Sequence, residues 1–343
     1  MENTTTSFAD AASAARIAEM TAPIPKKKGF SRAKLQENLW GWIFVAAILI
    51  GTTVFVYISF ILSVWMSFTS YESMVMKPFW EAPGTMHYEG WYHWYQVMFT
   101  PGTSAVTGEA TYVWNTLGTT VFYLIGIPIG MALSLGISVL LTRDIKFTGT
   151  FRVIYYIPTV ASVVSISIMW TNLFGSNGFM YQLFGVNMIA GEGSNMWTQR
   201  WCLIILTVWK GLGGTVVLFV AGLNGVNARY KEAAEIDGAN AWQRYIRITL
   251  PQIAPMTLFL ALAGWMSGMG TFDQVRVLAP ITWTGTAGVD DMGLTVAYYT
   301  YVEGITFSNM DYASVLNWVT AIITMAGSFL FLKWRKKTEE NIE

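Results

Sequence analysis

Six long runs free of acidic and, with one exception, basic side chains dominate this sequence of 343 residues. A transmembrane helix needs about 20 apolar residues to cross the hydrocarbon core of a bilayer, where irregular lipid-exposed backbone is not stable. Each run reaches that length, although Lys210 interrupts the fourth. The runs lie between Glu37 and Glu72, Glu109 and Arg143, Arg152 and Glu192 (the span near 153–174), Trp201 and Gly225, Arg247 and Asp273, and Asp311 and Lys333. The sequence therefore predicts an all-α membrane protein with six transmembrane helices.

The composition agrees with this prediction. Apolar residues make up 53% of the chain and charged residues 12%, which is too apolar for an ordinary soluble domain of this size. The formal net charge is zero, so no overall positive field attracts nucleic acid. We therefore expect membrane lipid, and no nucleic acid, among the partners.

The basic residues between the runs predict the orientation of the helices, because cytoplasmic loops carry an excess of Lys and Arg. Most of them fall on one side, in the N-terminal tail, near 143–152, in 229–247 and from 333 onwards. The opposite side holds Lys77, Arg200 and Arg276. Both termini and the 229–251 loop are therefore expected in the cytoplasm.

The segment 277–310 is partly apolar, but Asp290, Asp291 and Glu303 interrupt it. Charged side chains are costly within hydrocarbon. We expect this segment to be an extracytoplasmic loop that contains a short interfacial or re-entrant helix.

The 229–251 loop is too polar for a membrane span, yet its composition differs from that of a flexible linker. The residues up to Ile236 predict a short helix, and Gly238 supplies the backbone freedom for a sharp bend. Residues 241–248 predict a second short helix that ends before Pro251. An acidic first half and a basic second half suit docking to another protein. The alternative is a solvated connector that is helical.

The spacing of residues in this loop resembles the EAA loop of binding-protein-dependent ABC transporter permeases. The matching positions are Glu232, Ala233, Ala234, Gly238, Ile248, Leu250 and Pro251. Further stretches are similar to the carbohydrate-uptake branch of the family, the maltose/glycerol-phosphate-like sugar permeases: AGLNGVNARYKEAAEIDGANAWQRYIRITLP, FRVIYYIPTVASVVSISIMWTNLFGSNG, WNTLGTTVFY and MDYASVLNWV. The chain departs from the family pattern after the fifth run, where VLAPITWTGTAGVDDMG replaces a common Gly-Gly-Pro.

The resemblance implies the type I ABC importer permease fold, with six transmembrane helices and a cytoplasmic coupling-helix loop. It divides the chain into a cytoplasmic tail (1–38), a first transmembrane helix with an extracytoplasmic segment (39–110), a permease core (111–335) with the coupling loop at 229–251, and a second cytoplasmic tail (336–343). It also implies a multi-pass protein of the bacterial cytoplasmic membrane. The implied partners are two ATP-binding subunits, a second six-helix permease and an extracytoplasmic solute-binding protein; the third-run sequence favours a heterodimer of permeases over a homodimer.

In this family the loop docks into a cleft of a cytoplasmic ATPase. The resemblance assigns ATPase coupling to Glu232, Ala233, Ala234, Asp237, Gly238, Ala239, Ile248, Leu250 and Pro251. Glu232 would offer a carboxylate to a basic residue of the partner, and the two alanines that follow would allow close approach. Leu250 and Pro251 would tie the loop to the fifth span.

The sequence contains no motif for ATP hydrolysis. No segment matches GxxxxGK[ST], and no Ser/His/Asp or Cys/His arrangement suggests catalysis. We expect a non-catalytic subunit without a cofactor of its own, with ATP and magnesium bound by the partner ATPase. His87 and His93 share an outer loop with Glu81 and Glu89, where packing is a better expectation than a weak metal site.

Lys210 is a candidate residue of the substrate pathway. A cation near the bilayer centre costs about 2.5 to 3.5 kcal/mol even on a lenient insertion scale, so it must face water, a carboxylate or a ligand. An ion pair with another helix and snorkelling towards the membrane surface remain alternatives. The family places substrate contacts on the two helices that flank the loop, which would bring in Gly211 and Gly214 from the fourth run.

The fifth run carries small, partly polar residues at helical spacing: Gly264, Ser267, Gly268 and Thr271. Such a stripe either lines a pathway or packs against a neighbouring helix. Trp209 and Trp265 would either stack on a sugar ring or be buried in the bundle.

The resemblance implies a permease subunit of an ATP-driven importer for a sugar, oligosaccharide or polyol, which forms half of the pathway by alternating access. One alternative is an ABC permease for another solute such as glycerol phosphate, whose phosphate would suit Lys210. A second alternative is an ATP-independent secondary transporter or channel. Inverted repeats or acidic residues within the spans would favour the second alternative, and the sequence shows neither.

Overall fold

The computed structural model describes residues 32–71, 86–99, 102–103, 110–111, 113–142, 148–189, 194–280 and 293–340. Most of the predicted N-terminal tail, Glu81 and most of the sequence that replaces Gly-Gly-Pro (281–292) lie outside these residues. The chain divides into two compact units, Met1–Leu62 and Ser63–Glu343. The first unit contains α1 (Arg32–Thr52) and a π-helical segment (Thr53–Ile58), which continues into α2 (Ser59–Met66), a helix that crosses the boundary at Leu62. Together they supply an apolar span from Trp40 to Met66.

The second unit begins with short elements that precede its long helices. Helix α3 spans Tyr92–Phe99, and two small antiparallel sheets pair β1 (Thr69–Tyr71) with β2 (Met86–Tyr88) and β3 (Gly102–Thr103) with β4 (Ala110–Thr111). In register, Thr69 lies opposite Tyr88 and Gly102 opposite Thr111.

The helical core of the second unit follows. Its helices are α4 (Val113–Tyr123), α5 (Gly126–Leu141), α6 (Thr148–Val160), α7 (Val163–Phe174), α8 (Phe179–Phe184), α9 (Met196–Asn224), α10 (Ala228–Ile236), α11 (Ala241–Arg244), α12 (Leu250–Gln252), α13 (Ala254–Met269), α14 (Asp273–Leu278), α15 (Val296–Tyr301) and α16 (Met310–Glu340). A π-helical segment, Tyr245–Thr249, joins α11 to α12, and another, Val302–Thr306, follows α15.

The described residues include four helical stretches that are long and apolar enough to cross a membrane: Trp40–Met66, Val113–Leu141, Trp197–Asn224 and Met310–Lys333. Two bent helix pairs bring the total to as many as six spans, which agrees with the six predicted runs. The third run bends by 99° between α6 and α7, and the fifth bends by 63° before α13. The break within the third run was not predicted from the sequence. Pro158 near the end of α6 and Pro255 at the start of α13 lack the N–H that an unbroken helix would need.

A stripe of small residues lets α5 approach α9 closely. The stripe repeats every four residues: Gly126, Gly130, Ser134 and Ser138. A Cβ atom at Gly126 would lie 3.5 Å from Ile204 Cγ2, so the glycine places the two helices in direct contact. Ser138 Oγ donates a hydrogen bond to Val216 O on α9 at 3.1 Å. Close approach through small residues is a common basis of helix association in membranes.

Helix α15 is buried in the main core. Val296 and Tyr299 are 0% and 1% exposed. The Val296 N–H donates to Thr120 Oγ1 at 2.9 Å, and the Thr295 hydroxyl donates to Thr271 O at 2.8 Å. The sequence predicted a short interfacial or re-entrant helix within 277–310, and α15 is a short helix in this segment whose side chains are mostly buried in the protein.

The contact between α6 and α9 yields a stability prediction at Gly213. A Cβ atom there would lie 2.3 Å from Thr159 Oγ1 and 2.8 Å from Tyr155 O, so Gly213→Ala forces the helices apart. We expect a loss of about 1 to 3 kcal/mol, seen as a lower melting temperature of the purified protein. Gly211→Ala is the matched control, since nothing lies within 4 Å of its Cβ position. Equal melting temperatures for the two variants would contradict this packing.

Candidate functional site

A cavity of about 470 Å³ lies among the helices of the second unit. Its wall is formed by α5, the break between α6 and α7, the middle of α9, and the second half of α13 with the residues that lead into α14. The lining is apolar with several hydroxyl groups, which is the usual character of a site for a small solute. The two helices that flank the 229–251 loop, α9 and α13, therefore share one cavity.

Lys210 lines this cavity at the middle of α9. Fourteen residues separate it from each end of the helix, so it lies roughly 21 Å from either end at 1.5 Å per residue. Among the described residues, no carboxylate oxygen lies within the 4.0 Å limit of an ion pair with its ammonium group. The ion-pair alternative therefore has no support from the described part of the chain. Asp273, the other charged residue of the lining, follows the end of α13 that is remote from the loop.

The stripe of small residues in the fifth run both lines the cavity and packs against neighbouring helices. Its four residues all line the cavity: Gly264, Ser267, Gly268 and Thr271. A Cβ atom at Gly264 would lie 2.9 Å from Ile127 Cγ2, and one at Gly268 would lie 2.3 Å from Leu124 Cδ2. The glycines therefore let α13 pack against the junction of α4 and α5, beside the cavity. A role of the stripe in transport stays a prediction.

Three residues proposed for the pathway lie elsewhere. Gly211 lines the cavity, but Gly214 packs against Thr159, whose Cγ2 would be 3.7 Å from its Cβ position. The ring of Trp209 lies 5.9 Å from that of Trp170. The indole N–H of Trp265 donates to Thr324 O at 3.0 Å. Gly214 and the two tryptophans are not among the lining residues, and both tryptophans are half-buried.

Several polar lining residues were not predicted from the sequence. They are Ser134, Thr159, Thr207, Thr215 and Asp273. Ser134 is fully buried, and its hydroxyl has no hydrogen-bond partner among the described residues. The four-residue repeat of small residues in the second run was the available signal for Ser134, since such a repeat marks a face where helices meet.

The 229–251 loop forms two short helices joined by a sharp turn. Asn227 caps α10, where its side chain accepts a hydrogen bond from the Arg229 N–H at 3.0 Å. Gly238 has a φ of +80°, a left-handed conformation that side chains with a Cβ rarely adopt, so glycine is required at this turn. Asn240 then caps α11 through reciprocal hydrogen bonds with Gln243. Capping of this kind stabilises a helix by about 1 kcal/mol, which favours these short helices.

The second half of the loop differs from the prediction. The helix was expected to end before Pro251, but helical backbone continues from α11 through the π-helical segment to Gln252. The Leu250 N–H bonds to Tyr245 O, five residues back, which widens the turn before the proline. Pro251 follows this wide turn within the continuous helical backbone, where it has no N–H to donate to a carbonyl of the preceding turn.

The surface of the loop is exposed and its base is anchored. Glu232, Ala233 and Asp237 are exposed, whereas Ala234, Ala239, Ile248, Leu250 and Pro251 are half-buried. Ile236 and Trp242 are 87% and 68% exposed, so large apolar side chains lie on the outside of the hairpin. An ion pair between Arg244 and Glu235 joins its two arms. At the base, Ile253 is buried with Phe219 and Leu223 of α9.

His93 lies between two carboxyl groups. Its Nε2 atom lies 3.2 Å from a Glu89 oxygen and 3.5 Å from an Asp311 oxygen, which links α3 to the start of α16. Among the described residues, no group of three His, Cys, Asp or Glu side chains is arranged to hold a metal ion. The side chain of His87 lies outside the described residues.

Glu303 is a buried carboxyl beside this link. It is 4% exposed, and Asn309 Nδ2 donates to its Oε2 at 3.0 Å. Burial raises the pKa of Glu303 above its ordinary value, and hydrogen bonds from Asn309 and Tyr299 only partly oppose this effect. The folded protein therefore favours the protonated form of Glu303 more than the unfolded chain does.

This shift predicts how the stability of the protein depends on pH. A carboxyl with a raised pKa in the folded state contributes stability that is complete below its unfolded pKa, near 4.5, and is lost as the pH rises through the folded value. We expect the wild-type melting temperature to fall relative to that of Glu303→Gln as the pH rises from about 5 to 8. Melting curves of both proteins across this range test the prediction, and a constant difference would contradict it.

Comparisons with known proteins agree with this architecture. A model of the binding-protein-dependent transport system inner membrane component family matches residues 126–336. The probable ABC transporter permease protein YesP of Bacillus subtilis is 30% identical over 298 residues, which cover 85% of this chain and 89% of that protein. The lactose transport system permease protein LacF of Rhizobium radiobacter is 25% identical over 317 residues, which cover 88% and 96%.

The fold is also similar to that of solved transporters. A chain from the crystal structure of a bacterial ABC transporter involved in the import of the acidic polysaccharide alginate superposes with a TM-score of 0.66 at 18% identity, over 89% of this chain and 99% of that one. A chain from the crystal structure of a bacterial alginate ABC transporter in complex with alginate pentasaccharide-bound periplasmic protein gives a TM-score of 0.65 at 18% identity, over 87% of this chain and 94% of that one. The chain thus has the permease fold of ABC importers and is a multi-pass membrane protein. On the family match and the relatives together, it belongs to the family of binding-protein-dependent transport system inner membrane components, the permeases of ABC transporters.

Proposed function

We propose that this chain is one of two permease halves of an ATP-driven importer for a sugar, oligosaccharide or polyol. It performs no catalysis itself. Two partner ATPases on the cytoplasmic side bind ATP and magnesium, and the 229–251 loop transmits their motion to the membrane helices. A solute-binding protein delivers the cargo to the opposite side.

The connection between the loop and the cavity is the observation that carries this proposal. The loop joins the end of α9 at Asn224 to the start of α13 at Ala254, and both helices line the cavity. Its base is fixed to α9 through buried Ile253. A force on the hairpin therefore reaches two walls of the cavity. This is the mechanical requirement for alternating access driven from outside the membrane.

The hairpin surface supports docking to a folded partner. Glu232 is exposed on α10 next to Ala233, so a carboxylate and a small side chain face outwards together. Exposed Ile236 and Trp242 supply apolar area, and buried aromatic anchors dominate the binding energy of many protein interfaces. The ion pair between Arg244 and Glu235 holds the two arms in one arrangement before docking, which reduces the entropy lost on binding.

The relatives support a carbohydrate cargo. LacF is a permease of a lactose transport system, and AraP of Bacillus subtilis, 28% identical over 232 residues, is a permease of an arabinooligosaccharide transport system. The hydroxyl-bearing residues of the cavity suit a ligand with many hydroxyl groups. The alginate transporter, whose structure includes a periplasmic protein, supports a solute-binding partner for this chain.

Extraction of the complex from its native membrane tests the proposal. The tagged chain is solubilised in mild detergent, and the proteins that accompany it are identified and their ratios measured. We expect an ATP-binding subunit in two copies per complex and one further six-helix permease. Recovery of a chain that is alone, or only self-associated, and that transports without ATP would establish the secondary-transporter alternative instead.

A further inference from the structure

Lys210 is the charged group that the proposed mechanism leaves unexplained. It lies at the middle of α9, about as far from either membrane surface as this helix allows, and it lines the cavity. No carboxylate of the described residues forms an ion pair with it. An ammonium group in this position is stable only if water or an anion faces it, because burial of an unpaired charge is costly.

Several hydroxyl groups around the cavity already donate hydrogen bonds. Those of Thr159, Thr207, Thr215 and Thr271 each donate to a backbone carbonyl, at 2.8 to 3.1 Å. The Ser134 hydroxyl has no partner among the described residues, but its oxygen is fully buried and is closed off from the open space of the cavity. The Lys210 ammonium is therefore the charged donor that the cavity offers to a ligand. A donor of this kind matches a ligand rich in acceptors.

Asp273 is the opposing charge in the lining, and its position separates it from Lys210. It begins α14, beyond the end of α13, whereas Lys210 lies near the centre of its helix. The middle of the cavity is consequently positive and its far end negative. An anionic group on a ligand would be attracted to the middle.

We propose that the cargo carries an oxyanion, a carboxylate or a phosphate on a sugar or polyol, which pairs with Lys210 inside the cavity. This inference rests on the proposed importer function and narrows its cargo. The ammonium group would replace the water lost by the oxyanion with a charge-assisted hydrogen bond. Neutral sugars lack the group that compensates the charge of Lys210.

Binding to the complete importer in lipid nanodiscs, in the absence of the solute-binding protein, tests the charge requirement. Three radiolabelled probes are used: a diglucuronate disaccharide, its dimethyl ester, and glycerol phosphate. For wild type we expect an acid probe to bind at least tenfold more tightly than the neutral ester. Lys210→Met should weaken binding of that acid probe by about tenfold to a hundredfold, the usual range for a hydrogen bond to a charged group, while Lys210→Arg retains most of it.

The outcomes distinguish a carboxylate from a phosphate. They also distinguish failure of the anionic cargo from failure of the importer function. Preference for diglucuronate identifies a sugar acid, and preference for glycerol phosphate identifies a phosphate ester. Equal binding of the acid and its ester to wild type overturns the inference, and this comparison needs no variant. If Lys210→Met still imports a neutral sugar with ATP at the wild-type rate, this result supports the importer function and excludes an anionic cargo. If uptake proceeds without ATP, the importer itself fails, whatever the charge of the bound ligand.

Discussion

Glu232→Arg is expected to reduce ATP-driven uptake by more than about tenfold while leaving the permease folded. The exposed carboxylate of Glu232 is the anionic group that α10 offers to the proposed ATPase, and an arginine there places like charges together at the docking surface. Because the side chain is exposed, its replacement leaves the helical core untouched. Uptake into proteoliposomes and the amount of ATPase retained on the purified permease measure the effect.

Lys231→Arg is the matched control for this variant. It introduces the same side chain at the neighbouring position without a change of charge, so uptake should stay close to the wild-type rate. Glu232→Gln, which removes the charge and keeps the size, should give an intermediate rate. If Glu232→Arg retains both full uptake and the full amount of ATPase, α10 is not the docking element.

Gly211→Trp is expected to block uptake almost completely. Gly211 lines the cavity, and nothing lies within 4 Å of its Cβ position, so an indole ring would enter open space instead of the packed interface. The variant should therefore fold, melt near the wild-type temperature and retain its partners. Its uptake rate should fall by more than about tenfold, because the ring occupies the space that the cargo would need.

Gly211→Ala shows whether uptake is lost because the cavity is filled or because the glycine is replaced. Its methyl group is small relative to the cavity of about 470 Å³, so uptake should continue. Binding of the cargo to the Gly211→Trp complex should be lost together with uptake. Wild-type uptake by a folded Gly211→Trp complex would show that cargo passes elsewhere.

The sequence predicted the spans well because the cost of charge in hydrocarbon limits where a helix can lie. It predicted their ends and breaks less well, because local contacts decide these. The fourth run was expected to begin near Trp201, but α9 begins at Met196, since the Asn195 side chain caps it and accepts the Trp197 and Thr198 N–H groups. The helix therefore extends past Arg200, where the apolar run stops.

The candidate cavity was predictable in part. The sequence identified Lys210 as a candidate because a charge within the membrane needs a compensating partner. It identified the stripe of the fifth run because helical spacing places its four small residues on one face. Gly214 does not line the cavity but packs beside Thr159 of α6, and the sequence does not show where a neighbouring helix approaches. Ser134 was not predicted, because the sequence does not show that its hydroxyl lacks a hydrogen-bond partner among the described residues.

Reconstituted transport tests whether ATP drives uptake through the 229–251 loop. The complex purified through this chain is placed in proteoliposomes with the solute-binding protein outside and ATP inside, and uptake of the radiolabelled cargo is measured for wild type and Glu232→Arg. We expect uptake that requires ATP hydrolysis in the wild type and is lost in Glu232→Arg. Uptake that proceeds equally without ATP, or that is unaffected by Glu232→Arg, would contradict it.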